Sequence, residues 1–510
     1  MTDIAERSTA ATVDPLLAEL RQIVGEAYAV PGVEAPDALI DQRSRYVGRA
    51  RAVVRPGSVD EVAAVVRLLA REEVPIVPQG GHTSLVGGAT PDDSGRAVVL
   101  SLKRLDRVRA IDLDNDTITV EAGVVLRRLQ DTARDAGRLF PLSLGAEDSC
   151  TIGGNLGSNA GGVQVLRYGN ARDLTLGLEV VTPSGEIWHG LRGLRKDNSG
   201  YDLRDLYIGS EGTLGIITAA TLKLYPLPVA QRTAFVKLDS SESVLALFRL
   251  AQADFGASLT AFEAISGPAY ALVQQRMPEE RVPFPAEPNA ERWYVLLEIS
   301  DNESDHHAAE RMEHVLEAAL RDGAALDALV AQSLAHSQGF WRLRQYALGR
   351  AQACDGGIVP HDISLPVSAL PDFLRRNEAH LQSRLPGVRV FAYGHIGDGN
   401  LHYHIGRPID QPATYLATHG AEITQIVHDD VVGFGGSIAA EHGVGRSKRD
   451  ALLRHKSPIE LRLMQAIKHA LDPAGIMNPG QLLPLNAPAD GATGRSALLN
   501  PRGSSPIHSS

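Results

Sequence analysis

The chain has 510 residues, 44% of them hydrophobic and 22% charged, as expected of a globular protein large enough for two or three domains. Its 61 acidic residues outnumber its 50 Lys and Arg residues, and a net charge of -11 argues against nucleic acid as the main partner.

Cysteine content and hydropathy exclude further classes. The two cysteines, Cys150 and Cys354, cannot form a disulfide framework or a thiolate zinc site. The N-terminal segment has acidic residues early, unlike a signal or transit peptide, and no window approaches the ~18 apolar residues of a membrane span. We therefore expect a cytoplasmic protein with no transmembrane segment.

The first half of the chain is predicted to alternate helices, strands and glycine-rich loops. Ser58 and Glu61 are spaced as a capping box at the start of one helix. The glycine-rich stretch 150–162 is predicted to be an extended loop, because glycine disfavours helices and central strands. The other predicted elements are helix 58–73, strand 74–78, loop 79–88, strand 117–123, helix 124–137, hairpin 178–190 and strand 220–228.

The second half alternates longer helices with strands, which favours a separate α+β domain with helices on one face of a sheet. Its predicted helices are 241–254, 303–322 and 416–433, and its strands are 293–299, 362–366, 388–394 and 401–405. The predicted divisions are an N-terminal helical segment (1–44), a first domain (45–228), the α+β domain (229–455), a C-terminal segment (456–485) and a disordered tail (486–510).

The two glycine-rich loops, 79–88 and 150–162, could direct backbone N–H groups at an anion such as a pyrophosphate. They could equally be tight turns with no ligand. Neither matches the G-x-G-x-x-G pattern of a Rossmann NAD site.

Four long motifs carry a family resemblance: VPIVPQGGHTSLVGGATP, GAEDSCTIGGNLGSNAGGVQVLRYG, LRKDNSGYDLRDLYIGSEGTLGIIT and DPAGIMNPGQLLP. They resemble the FAD-binding domain of the vanillyl-alcohol-oxidase superfamily, and within it the D-2-hydroxyacid dehydrogenase branch, over about residues 45–485. The resemblance implies an α+β fold with a two-subdomain FAD-binding domain of the p-cresol-methylhydroxylase type. An α+β, ferredoxin-like cap or substrate domain would follow, then a C-terminal helical segment that returns to the FAD domain.

The resemblance also implies the residues that bind FAD. They are Pro78, Gln79, Gly80, Gly81, His82, Thr83 and Ser84 in the first loop, Gly145, Ser149, Gly153, Gly154 and Asn159 around the second, and Asn478 beside the flavin ring. His82 stands where this branch usually has asparagine, and some relatives attach FAD covalently through a histidine in this loop. We expect non-covalent FAD, with a covalent link through His82 as the alternative.

Three histidines, His395, His402 and His404, lie within ten positions around the turn-forming GDGN sequence. His402 and His404 are two residues apart on a predicted strand and so share a face. The pair Glu441 and His442 precedes a Gly-x-Gly loop. From the residues alone, a metal site and a set of hydrogen-bonded core groups are equally good interpretations.

The resemblance favours the metal site. It implies that His395, His402 and Glu441 bind a divalent metal, with zinc expected, and that His442 is the catalytic base. Arg344 corresponds to a substrate-binding arginine of the family, and His404 occupies a substrate-binding position that is usually asparagine.

Two positions depart from the pattern of a dicarboxylate site: Leu348 replaces a threonine, and Pro360 replaces a lysine with one residue of length difference. We therefore predict an FAD- and metal-dependent D-2-hydroxyacid dehydrogenase whose substrate is a monocarboxylate or a bulkier, more apolar hydroxyacid, not D-2-hydroxyglutarate. The expected acceptor is an electron-transfer flavoprotein or a quinone, and the expected assembly a homodimer. The alternatives are an oxygen-using flavin oxidase, a metal-dependent hydrolase and a non-catalytic binding module.

Overall fold

The computed structural model describes residues 14–287 and 291–484. Its α-helices are α1 (Pro15–Val24), α2 (Val59–Arg71), α3 (Leu126–Asp135), α4 (Ile152–Gly157), α5 (Val165–Tyr168), α6 (Arg204–Tyr207), α7 (Ser241–Phe255), α8 (Gly267–Arg276), α9 (Asp305–Arg321), α10 (Leu334–Arg342), α11 (Leu348–Cys354), α12 (Leu370–Arg384), α13 (Thr414–Gly433), α14 (Arg449–His455) and α15 (Pro458–Leu471).

The strands are β1 (Ala29–Pro31), β2 (Ala52–Val54), β3 (Ile76–Gln79), β4 (Val98–Ser101), β5 (Val108–Asp112), β6 (Thr117–Glu121), β7 (Arg138–Leu139), β8 (Thr175–Val181), β9 (Ile187–Gly190), β10 (Ile216–Lys223), β11 (Tyr225–Pro226), β12 (Ala230–Leu238), β13 (Leu259–Ser266), β14 (Trp293–Asp301), β15 (Asp327–Val330), β16 (Asp362–Ser364), β17 (Arg389–Gly394) and β18 (Asn400–Gly406).

Two sheets are built from the first half of the chain. A four-stranded sheet has the order β1-β2-β4-β3, and a five-stranded antiparallel sheet has the order β5-β6-β10-β8-β9. Strands β2, β4 and β3 are parallel, and every residue of β4 is buried, as expected of a parallel strand covered on both faces. Strand β1 lies inside the predicted N-terminal helical segment, so that segment is helical only in part.

Helix α2 begins as predicted, with one difference at its cap. The Ser58 hydroxyl accepts a hydrogen bond from the Glu61 amide at 3.2 Å, but the Glu61 carboxylate accepts from the Gly57 amide at 2.7 Å instead of from Ser58. The apolar face of α2 is buried, with Val62, Val65, Val66 and Leu69 fully enclosed. Burial of this face stabilises the helix more than propensity does.

The prediction of an extended loop over 150–162 is wrong in part, because Ile152–Gly157 forms the short helix α4. Ile152 and Leu156 are buried in the core beneath the five-stranded sheet. The burial of these two side chains overrides the low helix propensity of the glycines between them.

The third sheet has seven antiparallel strands in the order β15-β12-β14-β13-β17-β18-β16. Helices α7, α9, α12 and α13 share one core with residues from this sheet, and α8, α10 and α11 share another. Alternate residues of β13 enter the two cores: Phe262 and Ala264 the first, Ile265 the second. The expectation of helices on one face only is therefore wrong, while the α+β class is confirmed.

After α15 the chain runs alongside β3. Met477 pairs with Ile76, and the amide of Asn478 donates to the carbonyl of Ile76 at 2.8 Å. The tail predicted over 486–510 lies outside the described residues. Within the described ranges, no helix combines the length and the apolar character needed to span a membrane.

Candidate active site

The histidine cluster is formed where β17 turns into β18. Gly394 has φ of +155°, and a Cβ there would lie 2.6 Å from the carbonyl oxygen of Asn400, so only glycine allows this close approach. His395 follows at the turn. His402 pairs with Tyr393 on one side and with Asp362 on the other, which places three polar side chains in adjacent strands.

His395, His402 and Glu441 lie close together. Nε2 of His395 is 3.9 Å from Oε2 of Glu441, and Nε2 of His402 is 3.6 Å from Oε1 of the same carboxylate. One ligand atom from each residue lies within 4.8 Å of the others. An ion with ligands at about 2.1 Å fits among atoms so spaced.

A buried carboxylate, Glu263, supports the cluster from β13. Its Oε1 lies 2.6 Å from Nδ1 of His395, which leaves Nε2 facing Glu441. Burial opposes charge on His395, but Glu263 raises its pKa to about 9. Burial lowers the pKa of His402 well below its usual value, so the ring is neutral and one of its two nitrogens keeps a lone pair for a cation.

Asp362 holds the loop that carries Glu441 and His442. Its Oδ2 accepts hydrogen bonds from the amides of Glu441 at 3.1 Å and His442 at 2.9 Å, and lies 3.1 Å from Nδ1 of His442. Burial opposes ionisation of Asp362, but the bond from His442 holds its pKa well below the usual range. Burial also opposes charge on His442, yet Asp362 raises the pKa of that imidazole.

A second metal-like grouping consists of Asp362, Glu441 and His442. Its members are already joined by hydrogen bonds, and Nζ of Lys448 lies 4.0 Å from Asp362 Oδ2, where its charge opposes a cation. Nε2 of His442 is 3.5 Å from Oε1 of Glu441 and so faces the first grouping. The first grouping is therefore the better cation site, with His442 free beside it.

Arg344 lies next to this cluster. It belongs to a π-helical turn, Leu343–Ala347, of the kind often found at functional sites. Its Nε donates to Oε2 of Glu263 at 2.7 Å, its guanidinium carbon is 5.1 Å from the centre of the Tyr393 ring, and its buried Nη2 has no hydrogen-bond partner among the described residues.

His404 lies on the same face as His402 but outside the cation grouping. Its Nδ1 is 3.3 Å from the Tyr393 hydroxyl and 2.9 Å from Oε1 of Gln352. Burial lowers the pKa of His404 to about 3, so the ring is a neutral hydrogen-bonding group. Leu348 is buried in the core shared by α8, α10 and α11, and Pro360 is exposed.

The two glycine-rich loops meet backbone to backbone. A Cβ at Gly81 would lie 2.2 Å from the carbonyl oxygen of Ser149, and one at Gly80 would lie 2.4 Å from Oγ1 of Thr151. Buried polar atoms of Thr151, Asn155 and Asn478 have no hydrogen-bond partner in the described part of the chain. Such unsatisfied atoms fit a large ligand rich in hydrogen-bonding groups, as FAD is.

Some of the predicted FAD-binding side chains already have protein partners. Gln79 donates to the carbonyls of Ala38 and Ala89, and Asn159 accepts from the amide of Arg172. The Gly153 amide donates to Ala122 at 2.7 Å. Asn478 donates to the carbonyl of Gly88 at 2.9 Å, which joins the C-terminal segment to the first loop.

Glu211 connects the segment after His442 with Asn478 of the C-terminal segment. Its two carboxylate oxygens accept from the amides of Val444 and Gly445, both at 2.8 Å, and its carbonyl accepts from the Asn478 side chain at 2.7 Å. Sequence reasoning missed Glu211, Glu263 and Asp362. For Glu263, the sequence LTAFEAIS contained a usable signal: a single charged residue inside an otherwise uncharged strand indicates a buried charge with a specific partner.

Comparisons with known proteins assign two domains to this chain and relate its fold to solved structures. The family model described as FAD linked oxidases, C-terminal domain, matches residues 227–482, and the FAD binding domain model matches 50–190. The p-cresol methylhydroxylase structure superposes with a TM-score of 0.71 at 15% identity, covering 92% of this chain and 97% of that one. An alkyldihydroxyacetonephosphate synthase structure gives 0.69 at 18% identity, covering 94% and 87%. The fold and the matched domains define an FAD-linked oxidoreductase.

The sequence relatives narrow the class. D-2-hydroxyglutarate dehydrogenase of Xanthomonas citri pv. viticola is 36% identical over 457 residues, which cover 88% of this chain and 93% of the relative. The mitochondrial D-2-hydroxyglutarate dehydrogenase of Bos taurus is 36% identical over 483 residues, covering 93% and 84%. The chain belongs to the D-2-hydroxyacid dehydrogenase family of FAD-linked oxidoreductases, and the hydrolase and binding-module alternatives are set aside.

Proposed function

We propose that this chain oxidises a D-2-hydroxy monocarboxylate to the 2-oxo acid with a divalent cation held by His395, His402 and Glu441 and with His442 as the base. The observation that carries the proposal is the convergence of three ligand atoms within 4.8 Å beside a histidine whose other nitrogen is held by Asp362. Zinc suits two imidazoles and a carboxylate with a position left open for substrate.

When bound, FAD would accept the hydride from C2, and the cation would make the substrate hydroxyl more acidic. Nε2 of His442 takes the hydroxyl proton, because Asp362 holds the Nδ1–H and keeps the lone pair on Nε2. Nη2 of Arg344 is free to pair with a substrate carboxylate.

The choice of a monocarboxylate depends on the surroundings of Arg344. The relatives carry the name D-2-hydroxyglutarate dehydrogenase, and D-2-hydroxyglutarate has two carboxylate groups. Two of the neighbouring groups are apolar or neutral in this chain: Leu348 is 1% exposed, and His404 is held by the Tyr393 hydroxyl. A second carboxylate would lose its anchors here and bind weakly.

Restoring those anchors should broaden the specificity. The L348T/P360K double variant is expected to raise kcat/KM for D-2-hydroxyglutarate by about tenfold or more, because a hydrogen bond to a charged group contributes about 1.5–3 kcal/mol. Steady-state kinetics on D-2-hydroxyglutarate and D-lactate measure the change, with L348V as the control. A wild-type protein that already prefers D-2-hydroxyglutarate would contradict the proposed substrate.

FAD is expected to be non-covalent, because both ring nitrogens of His82 have protein partners. Nδ1 is 3.2 Å from the carbonyl oxygen of Asp37, and Nε2 is 3.1 Å from Oγ1 of Thr90. Acid precipitation of the purified protein should release all of the flavin into the supernatant, and the H82N variant should still bind it. Flavin that stays in the pellet of wild type but not of H82N would establish a covalent link instead.

The proposed function is tested by anaerobic bleaching of the flavin absorbance with a panel of D- and L-2-hydroxyacids, before and after chelation. D-monocarboxylates should bleach the flavin, and chelation should abolish the effect. An oxygen electrode in the same experiment separates a dehydrogenase from an oxidase. Bleaching that survives complete removal of divalent cations would refute the proposed mechanism.

A further inference from the structure

Glu263 is a charged residue in the middle of a central strand. The strand, β13, is otherwise apolar or neutral, and Glu263 is 1% exposed. Its carboxylate has two partners: Oε1 lies 2.6 Å from Nδ1 of His395, and Oε2 accepts from Nε of Arg344 at 2.7 Å. The two partners are a proposed cation ligand and the proposed substrate arginine.

Each of these bonds fixes one orientation. When His395 binds a cation, the contact with Glu263 keeps its one remaining proton on Nδ1 and leaves the lone pair on Nε2, the nitrogen that faces Glu441 at 3.9 Å. The bond to Nε of Arg344 holds the planar guanidinium against the Tyr393 ring, and Nη2 has no hydrogen-bond partner within residues 14–287 and 291–484. One carboxylate therefore aligns both groups toward the same space.

Charge balance alone does not require this arrangement. A buried carboxylate is costly without a partner, but the ion pair with Arg344 already neutralises Glu263. Glu263 also makes a short contact to His395. Carboxylates that orient metal-binding imidazoles make this kind of contact.

We infer that Glu263 is a positioning residue that sets the tautomer of His395 for cation binding and the orientation of Arg344 for the substrate carboxylate. This inference rests on the proposed function and extends it to a residue that touches neither reactant.

The Glu263→Gln variant separates the two roles. A glutamine has one acceptor oxygen, and Arg344 must donate because a guanidinium keeps its protons. The amide NH₂ then faces Nδ1 of His395. Because this NH₂ needs an acceptor, the ring proton moves to Nε2, and Nε2 no longer has a lone pair for the cation. Zinc affinity should fall about 10–100-fold, while KM at saturating zinc stays within about twofold because Arg344 keeps its acceptor.

Glu263→Ala removes both acceptors and should weaken zinc binding and raise KM together. In the R344M background, E263A should still weaken zinc binding but add no further increase in KM. Zinc affinity is measured on the full-length, flavin-loaded, metal-stripped protein by competition with a chromogenic chelator, which does not depend on turnover.

Glu298 provides the matched control. It is a buried carboxylate on the adjacent strand β14, and it accepts from Thr233 Oγ1 and Trp341 Nε1, both at 2.9 Å. E298Q makes the same chemical change in the same sheet and should leave zinc affinity and KM unchanged.

Melting temperatures of E263Q and E298Q separate positioning from stability. Equal zinc affinity in wild type and E263Q, or equal losses in E263Q and E298Q, would overturn the role of Glu263 and leave the proposed function standing. A wild-type protein that binds no zinc at all would instead refute the proposed function.

Discussion

Replacement of His442 by alanine is expected to lower kcat by about 10²–10⁴-fold, the usual contribution of a general base. The imidazole lies beside the grouping of His395, His402 and Glu441, with Nε2 3.5 Å from Glu441, and is not one of the three proposed ligands. Flavin content and zinc content should therefore remain at wild-type levels. Stopped-flow reduction of the flavin under anaerobic conditions measures the loss directly.

The pH dependence provides a second measure of His442. Burial opposes protonation, but Asp362 raises the pKa of this histidine, and only the unprotonated form can accept the hydroxyl proton. The rate should fall as pH decreases through that pKa, and H442A should lack this acid limb. Added imidazole should restore part of the rate in H442A.

His361 offers a control for the loss of a buried imidazole. It precedes Asp362, and its ring nitrogens lie 2.9 Å from the carbonyl oxygen of Tyr403 and 3.2 Å from Thr424 Oγ1. H361Q should lower the melting temperature and leave kcat unchanged. If H442A kept the wild-type kcat, or like H361Q lost only thermal stability, His442 would not be the catalytic base.

Removal of the cation should have the largest effect of all. H402A and E441Q each remove one of the three proposed ligands, and their activity should fall by about 10³-fold or more because a bound cation contributes several kcal/mol to stabilising the developing alkoxide. Metal analysis should find substoichiometric metal in both variants. Chelation should inactivate wild type to the same level, and zinc should restore it.

The neighbouring residue His404 provides the control for this prediction. It lies two residues from His402 on the same face of β18 but bonds to Gln352 and Tyr393. H404N should retain full metal content. Unchanged activity in metal-free wild type, or metal retained by H402A and E441Q together, would exclude this site.

Local patterns in the sequence were sufficient for many elements. The helix with apolar spacing at 58–73, the hairpin at 178–190 and the strand around His402 were predicted because their periodicity coincides with their burial. The extended-loop prediction failed at Ile152 and Leu156, where burial decides the structure and composition does not.

The prediction of a cation site rests on family motifs more than on residue chemistry. His395, His402 and Glu441 are separated along the chain, and only the pairing of β17 with β18 and the anchoring of the 441–442 loop by Asp362 bring them together. Glu263 was missed for the same reason. Its partners lie 132 and 81 residues away, and no spacing rule reaches that far.

The bonds around Glu211 have a thermodynamic consequence for assembly of the holoenzyme. The carboxylate of Glu211 accepts hydrogen bonds from the segment after His442, and its backbone carbonyl accepts one from Asn478. Whatever orders one of these segments lowers the entropic cost of ordering the other. Binding of FAD and binding of the proposed cation should thus be cooperative, each increasing the affinity for the other by an equal factor, as reciprocity of coupled equilibria demands.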